Sequence, residues 1–589
     1  MGDRDRAEVE AELHELSRRE LIRAARRSSM EGQSEYAFAH TLVKDVCYAQ
    51  IPRAYRAERH TRAAAWIEQM DRVEDHAEIL ASHYSAALEL ARAARDPDTT
   101  ELEAGAIRYL TLAGDRALGM DVDRAFQHYA RALELTPEGH AQRPALLNRW
   151  ADAARQANRL AEAVKALEEA VETFQERREV LSAARAMTTL ANLLWYLADA
   201  RSKHVAAEAI ALLEAAPVTP ELVAAYSEMA RLEELSGDHV RAIGLADRAL
   251  ALARDLAMEE PAKALAYRGL ARCGLGEPSA LEDLRRALAL AIEQGQGWEA
   301  TVIYNNLAVT LLGIEGPAAE LAVLREGIDF AERRGISEAA LGLAGSSLKA
   351  LIDMGSWDEV LETAAALTEA LEPGGSLMTL SAVRCNEATV LASTGRADEA
   401  LPLATWAART AREAKAIDHL ACNLPIEALA RLGTGDSAGA VDVLTELSQV
   451  AHVKEDLFYM ANLPGMVRTA IAAGDVALGE RLARGQVSIY AYAEHAMFGT
   501  SAILAEARGD PEEAVRLYAQ AAGRWETFRV VPERAFALLG HGRCLLALGR
   551  PSEATGPLRD AREIFASLGA KPALAETDVL LERATPLTS

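Results

Sequence analysis

The chain has 589 residues, half of them hydrophobic, with a formal charge of −25 and a pI near 5.1. That balance argues against a nucleic-acid-binding surface as the main feature, and no run approaches the roughly 18 apolar residues that a membrane span needs. Alanine and leucine dominate while aromatic and β-branched residues are sparse, which favours helix over strand.

The opening Met-Gly-Asp-Arg-Asp-Arg is too charged for a signal peptide. Apolar positions at Val9, Leu13, Leu16, Leu21 and Ile22 predict a helix to about Arg19, a short extended segment after Glu20 and a turn near Gly32. Tyr36 and Phe38 alternate as a short strand would, and Leu42 and Val46 continue at helical spacing. Arg18, Arg19, Arg23, Arg26 and Arg27 form the densest basic cluster. A solvated face explains it, and contact with DNA is the competing reading. His40 and His60 are expected to hydrogen-bond across this junction. His76 and His83 stand seven apart with Glu78 nearby. A metal site wants i, i+4 ligands or a third convergent one, so these histidines read as structural.

A resemblance becomes specific here. Tyr36-x-Phe38-x-His40, Asp45-Val46-x-Tyr48, Arg56-x-x-x-His60 and Trp66-Ile67-Glu68 follow in close order, then Asp75-His76-Ala77-Glu78-Ile79-Leu80-Ala81 and His83-Tyr84. This order resembles the segment after the nucleotide-binding module in bacterial STAND-type AAA signalling ATPases, often fused to class III adenylate/guanylate cyclase domains. It spans roughly residues 7 to 135 and continues less specifically to the C-terminus. The resemblance implies a partial winged-helix segment leading into tetratricopeptide repeats (TPRs), in the regulatory arm of such a protein. The family's ATPase core and any cyclase domain would lie upstream of residue 1, so the chain resembles the rear half of such a protein.

Asp96-Pro-Asp-Thr-Thr100 is the clearest polar break, and repeats begin beyond it. They align on one key position, held in turn by Ala125, Ala163, Lys203, Ala242, Ala280, Glu320, Val360, Ala400, Ala440, Gly479, Ala514 and Ala554. A nearly constant spacing of close to 40 residues is the signature of a repeat architecture. Five residues before the key position stand Gly237, Gly355, Gly395, Gly435, Gly474, Gly509 and Gly549, as a left-handed turn between two helices would want. Twelve before it stand Ala113, Ala151, Ala191, Ala230, Ala308, Ala388, Ala428, Ala502 and Gly542. Seven after it stand Ala132, Ala170, Ala249, Ala287, Ala407, Ala521 and Ala561. Small residues at fixed offsets let antiparallel helices approach closely. The pattern resembles the TPR, with a longer period than the usual one of about 34 residues. Lys203, Glu320 and Val360 break the small-residue rule, so those repeats are irregular or the register shifts there.

The expected fold is therefore all-α: a right-handed superhelical solenoid of about twelve TPR-like helical hairpins. Its divisions are a partial winged-helix segment (1–60), a helical junction (61–100), the solenoid (101–572) and a capping helix with tail (573–589).

No catalytic chemistry is legible. Gly-Lys never occurs, so no Walker-type phosphate loop exists, and Gly540-His541-Gly542 starts a dinucleotide fingerprint that Leu545 ends. Ser346-x-x-Lys349 matches the serine–lysine acyl-transfer pattern but stands alone in a predicted helix. The five cysteines, Cys47, Cys273, Cys385, Cys422 and Cys544, form no Cys-x-x-Cys pair and read as reduced core thiols of a cytoplasmic protein. No cofactor is expected. Eleven residues before the key position stand Arg231, Lys349, Arg468 and Arg543. In TPRs this offset on the first helix projects toward the concave face. With Asn305, these are the candidate ligand contacts, suited to an acidic peptide or a nucleotide phosphate.

The functional expectation is a non-catalytic interaction or ligand-sensing scaffold. Its partner would be a protein or peptide, a nucleotide-binding module supplied in trans, or a small-molecule inducer. The alternative is a transcription-regulator fragment using the winged-helix remnant.

Overall fold

The computed structural model describes residues 5–25, 34–70, 72–118, 121–157, 159–197, 199–277, 279–372, 376–486 and 489–584. They group into two units, residues 1–173 and 174–589. Arg26, Arg27 and the expected turn at Gly32 lie outside the described residues.

In the first unit the helix Arg6–Arg18 is capped by Asp5, whose carboxylate accepts from the Ala7 amide. Arg18 and Arg19 both close onto Glu15. Strands Ile22–Ala24 and Tyr36–Phe38 pair antiparallel, with Ile22 opposite Phe38. Helices Thr41–Gln50, Arg53–Ile67 and Ala77–Ala93 follow. His60 joins this region together, though not through His40. The Tyr48 hydroxyl hydrogen-bonds to its Nε2 at 2.7 Å, and its Nδ1 lies 2.8 Å from Nδ1 of His83. His83, expected to be structural, is thus half of a histidine pair. Among the described residues no group of three His, Cys, Asp or Glu side chains could hold a metal ion.

Among the described residues twelve helical hairpins then run along the chain, and we number them in order. They pair Thr100–Ala117 with Val122–Glu134, Arg143–Gln156 with Leu160–Glu176, Val180–Tyr196 with Ser202–Glu214, Pro220–Glu234 with His239–Asp255, Ala262–Gly274 with Ala280–Glu293, and Gly297–Ile314 with Pro317–Arg333. The series continues with Ser337–Met354 and Trp357–Leu371, Leu377–Ser393 and Ala397–Ala414, Ile417–Gly433 and Ser437–Gln449, Leu457–Ala472 and Val476–Ala483, Ala491–Ala507 and Pro511–Phe528, and Val531–Ala547 and Pro551–Leu568. A final helix, Lys571–Ala584, packs on the last of these.

In four hairpins the local cause of the turn is a two-residue signal. At Gly509 the backbone is left-handed (φ +79°), and the Asp510 amide reaches back to the Ala505 carbonyl. That arrangement ends the first helix. Asp510 then caps the second by accepting from the Glu513 amide. The same Gly-Asp pair works at Gly237-Asp238, Gly435-Asp436 and Gly474-Asp475. The alanine columns are buried throughout: Ala113, Ala191, Ala388, Ala407 and Ala521 have no exposed surface. Hairpin packing accordingly depends on side chains no larger than a methyl group.

Two of the three exceptions stay in register, since Glu320 and Val360 are buried at the key position. The third shifts by one. Ser202 takes the buried place, donating to the Ala191 carbonyl at 2.7 Å, while Lys203 reaches out to Glu233. The cysteines divide as well. Cys273, Cys385 and Cys544 are buried, Cys422 is half-buried, and Cys47 is exposed rather than part of the core.

Among the described residues no helix is long and apolar enough to cross a membrane.

Candidate luminal binding site

Within the second unit the superhelix comes round onto itself. Hairpin six touches hairpin eleven, and hairpin seven touches hairpin twelve, through their first helices. Glycines allow this approach. A Cβ on Gly316 (φ +100°) would stand 2.8 Å from the Phe528 carbonyl oxygen, and one on Gly355 would stand 2.9 Å from Leu568. A methyl group does not fit at either distance. The expected open concave surface is therefore closed in hairpins six to twelve, and it becomes a lumen of about 950 Å³. That lies at the upper end of the range for small-molecule sites.

The first helix of each of these hairpins supplies the wall. Position −11 relative to the key residue is luminal in all seven: Val309, Lys349, Thr389, Leu429, Arg468, Ile503 and Arg543. Asn305 lines the same space four residues earlier in its repeat. Four of the five candidate residues thus come together. Arg231 does not join them. It is buried in hairpin four, where Nε and Nη2 donate to Glu228 at 2.9 and 2.6 Å and the guanidinium stacks 4.9 Å from the Trp195 ring. Burial alone would raise the Glu228 carboxyl, but Lys263 and Arg231 beside it hold it down to about 2. Arg231 is a packing cation with a committed partner.

The luminal cations are committed too. Arg543 forks onto Glu506 at 2.5 and 2.8 Å and reaches Glu576 at 2.6 Å. Burial pushes the Glu506 carboxyl up, yet the Arg543 fork and the Tyr518 hydroxyl carry it below its usual range. Arg468 clasps Glu533 with both terminal nitrogens, and its guanidinium lies 4.1 Å over the Phe536 ring. Lys349 donates to Asp353 one helical turn later. The serine–lysine motif is split, because Ser346 donates to Asn305 at 2.9 Å.

Sequence reasoning missed the carboxylates. Among the described residues six line the lumen (Glu320, Asp353, Asp418, Glu506, Glu533 and Glu576) against three cations. The basic ladder expected for an acidic ligand is neutralised within an acidic lumen. The i, i+4 spacing of Lys349 and Asp353 was the available signal for one of these pairs. Glu533 comes from a hairpin two further along, and nothing local announces it.

Asp353 also receives a hydrogen bond from the Tyr492 hydroxyl at 3.1 Å. Burial raises the Asp353 carboxyl, opposed by Lys349. Glu320 is pushed well above its ordinary value by burial, opposed by Lys349 and reinforced by Asp353. Cys385 and Cys422 also face the lumen, and burial raises both thiols, Cys385 to about 12, so neither is a ready nucleophile. What the arrangement offers is a walled binding space lined by aliphatic and aromatic side chains and by paired ions.

No family model and no curated protein matches the chain. Solved structures of similar form include a Rap protein complexed with competence and sporulation factor, at 17% identity over 56% of this chain and 96% of that one, TM-score 0.37. Another is the apo form of the quorum sensor NprR from B. thuringiensis, at 12% over 67% and 99%, TM-score 0.38. A third is a STAND protein with a tetratricopeptide repeat sensor from Pyrococcus horikoshii, at 14% over 75% of this chain and 58% of that one, TM-score 0.35. At these scores the likeness bears on neither ligand nor activity.

Proposed function

We propose that the chain is a non-catalytic TPR-type binding module that takes a protein or peptide segment into the lumen of hairpins six to twelve. The observation that carries this reading is the convergence of seven successive −11 positions on one enclosed space. An extended peptide follows such a repeating wall, meeting one hairpin after another. The paired ions favour the same reading. Lys349, Arg468 and Arg543 are already oriented by their carboxylates, so little side-chain freedom is lost when a ligand arrives.

The resemblance carried by Tyr36 to Tyr84 supports a finer version. In it, occupancy of the lumen is read by a nucleotide-binding module of STAND type, with or without a cyclase, through differential affinity for two states. The unbridged cysteines suit a cytoplasmic setting.

The test is fluorescence anisotropy with labelled, randomised peptide pools on the full chain and on a variant carrying Thr389→Trp and Leu429→Trp. Filling the lumen should weaken binding about tenfold or more, at unchanged helicity. Equal binding by both chains would sink the luminal site.

A further inference from the structure

We infer that the lumen holds a subsite for one organic cation, an ammonium or guanidinium group of the bound peptide, between Glu320 and Asp353 and against the rings of Tyr492 and Trp525. The inference deepens the luminal peptide-binding reading and rests on it.

The residues come from four places in the sequence. Glu320 occupies the key position of hairpin six, and Lys349 and Asp353 share a face of hairpin seven. Tyr492 and Trp525 arrive from hairpin eleven, with ring centroids 5.4 Å apart. Two buried carboxyl groups of the luminal wall, Glu320 (1% exposed) and Asp353 (5%), feel the charge of a single ammonium, that of Lys349. That ammonium is bonded to Asp353, with the Tyr492 hydroxyl 3.5 Å away. Glu320 Oε2 is buried and has no hydrogen-bond partner, though its residue lines the lumen. A buried carboxyl oxygen without a donor is costly, and a second cation would supply that donor.

The orphan on the opposite side has the complementary sign. Trp525 Nε1 is buried without an acceptor and faces Gly499, where a Cβ would stand 3.6 Å from it. Gly499 lines the lumen and has no side chain to cover the indole N–H. An unmet acceptor and an unmet donor on two residues of the luminal wall match a chain carrying a cation and a carbonyl, as a peptide does at a Lys or Arg residue or at its free amino terminus. Aromatic faces favour an organic cation further. A metal ion fits poorly, since no group of three metal-ligating side chains occurs among the described residues. Even without Glu320, five luminal carboxyl groups among the described residues face three cations, and that excess draws the same sign of ligand.

The subsite predicts a proton event. Burial, reinforced by Asp353 and opposed by Lys349, raises the Glu320 carboxyl in the free protein, which favours its neutral form. The other charged groups facing the cluster are Glu533 and its partner Arg468, across Tyr492. A cation seated on Glu320 favours the ionised carboxylate, so binding shifts the carboxyl proton toward solvent.

The experiment uses the full chain with three randomised nonapeptide pools, acetylated at the amino terminus, each with one fixed residue: Lys, Gln or Glu. Titration calorimetry in two buffers of different ionisation enthalpy reads affinity and proton release together. The Lys pool should bind about tenfold tighter than the Gln pool and release more protons on binding. Glu320→Gln should abolish both the preference and the release while still binding the Gln pool. Asp353→Asn, as a second variant with its own melting control, should reduce the preference. Equal binding of all three pools, or preference for Glu, overturns the cation subsite and leaves luminal peptide binding standing. Binding of no pool overturns both. A Lys preference that survives in Glu320→Gln and Asp353→Asn places the cation elsewhere and overturns the assignment.

Discussion

Tyr492 donates its hydroxyl to Asp353, 139 residues earlier, at 3.1 Å. This bond ties one turn of the superhelix to the next, and both partners are buried. Tyr492→Phe should leave Asp353 short of a donor and cost about 1–3 kcal/mol. Denaturant unfolding measures the loss. Hydrogen exchange should rise in hairpins seven and eleven together, because the bond joins them. A rise in hairpin eleven alone would contradict that link.

Glycines in hairpin turns divide into two kinds. Gly509 has a left-handed backbone, with open space where the methyl group of an alanine would stand, so Gly509→Ala should cost about 1 kcal/mol. Gly316 is left-handed as well, and its added methyl group would meet the Phe528 carbonyl at 2.8 Å. Gly316→Ala should cost clearly more, with the excess arising from separation of hairpins six and eleven. Matched unfolding curves compare the two.

The two kinds of luminal carboxyl should respond to pH in opposite directions. Glu320 has a raised value in the folded state, so its contribution to stability is complete below its unfolded value near 4.5 and is lost as pH climbs toward the folded one. Glu320→Gln should therefore stabilise the chain at pH 8 and change little at pH 4. Glu506 has a lowered value, so its contribution is present above 4.5 and is lost as pH falls. Glu506→Gln should destabilise at pH 7, by about 1.5–3 kcal/mol through its bonds to Arg543, and less in acid. Melting temperatures at three pH values decide both.

Register in hairpin three rests on Ser202. Ser202→Leu should overpack the contact with the Ala191 helix and cost about 1–3 kcal/mol. Lys203→Leu, one residue on and on the half-exposed side, should cost less. A reversed order would restore the register read from sequence spacing alone.

What was legible in the sequence was local. The glycine before each second helix, the alanines at −12 and +7 and the luminal face at −11 all follow from helical periodicity within about 40 residues. The closure of the superhelix was not legible, because it accumulates from small rotations between hairpins that no single repeat encodes. For the same reason the partners of Arg468 and Arg543 were not legible, whereas Asp353, at i+4 from Lys349, left a local signal that was not read. Arg231 shows the limit of the offset rule. Its position in the repeat matches Lys349, yet Glu228 three residues earlier and Trp195 on the preceding hairpin enclose it. Ser202 displaced Lys203 because the small side chain, not the spacing, decides which residue enters a closely packed contact.

Site-specific photo-crosslinking shows most directly whether a peptide occupies the lumen of hairpins six to twelve. A benzophenone amino acid at luminal Leu429, and another at the exposed Glu362 on an outer helix, would be irradiated with the randomised peptide pools. Luminal binding gives peptide adducts at 429 and none above background at 362. Adducts at 362 with none at 429 would place binding on the outer surface and contradict it.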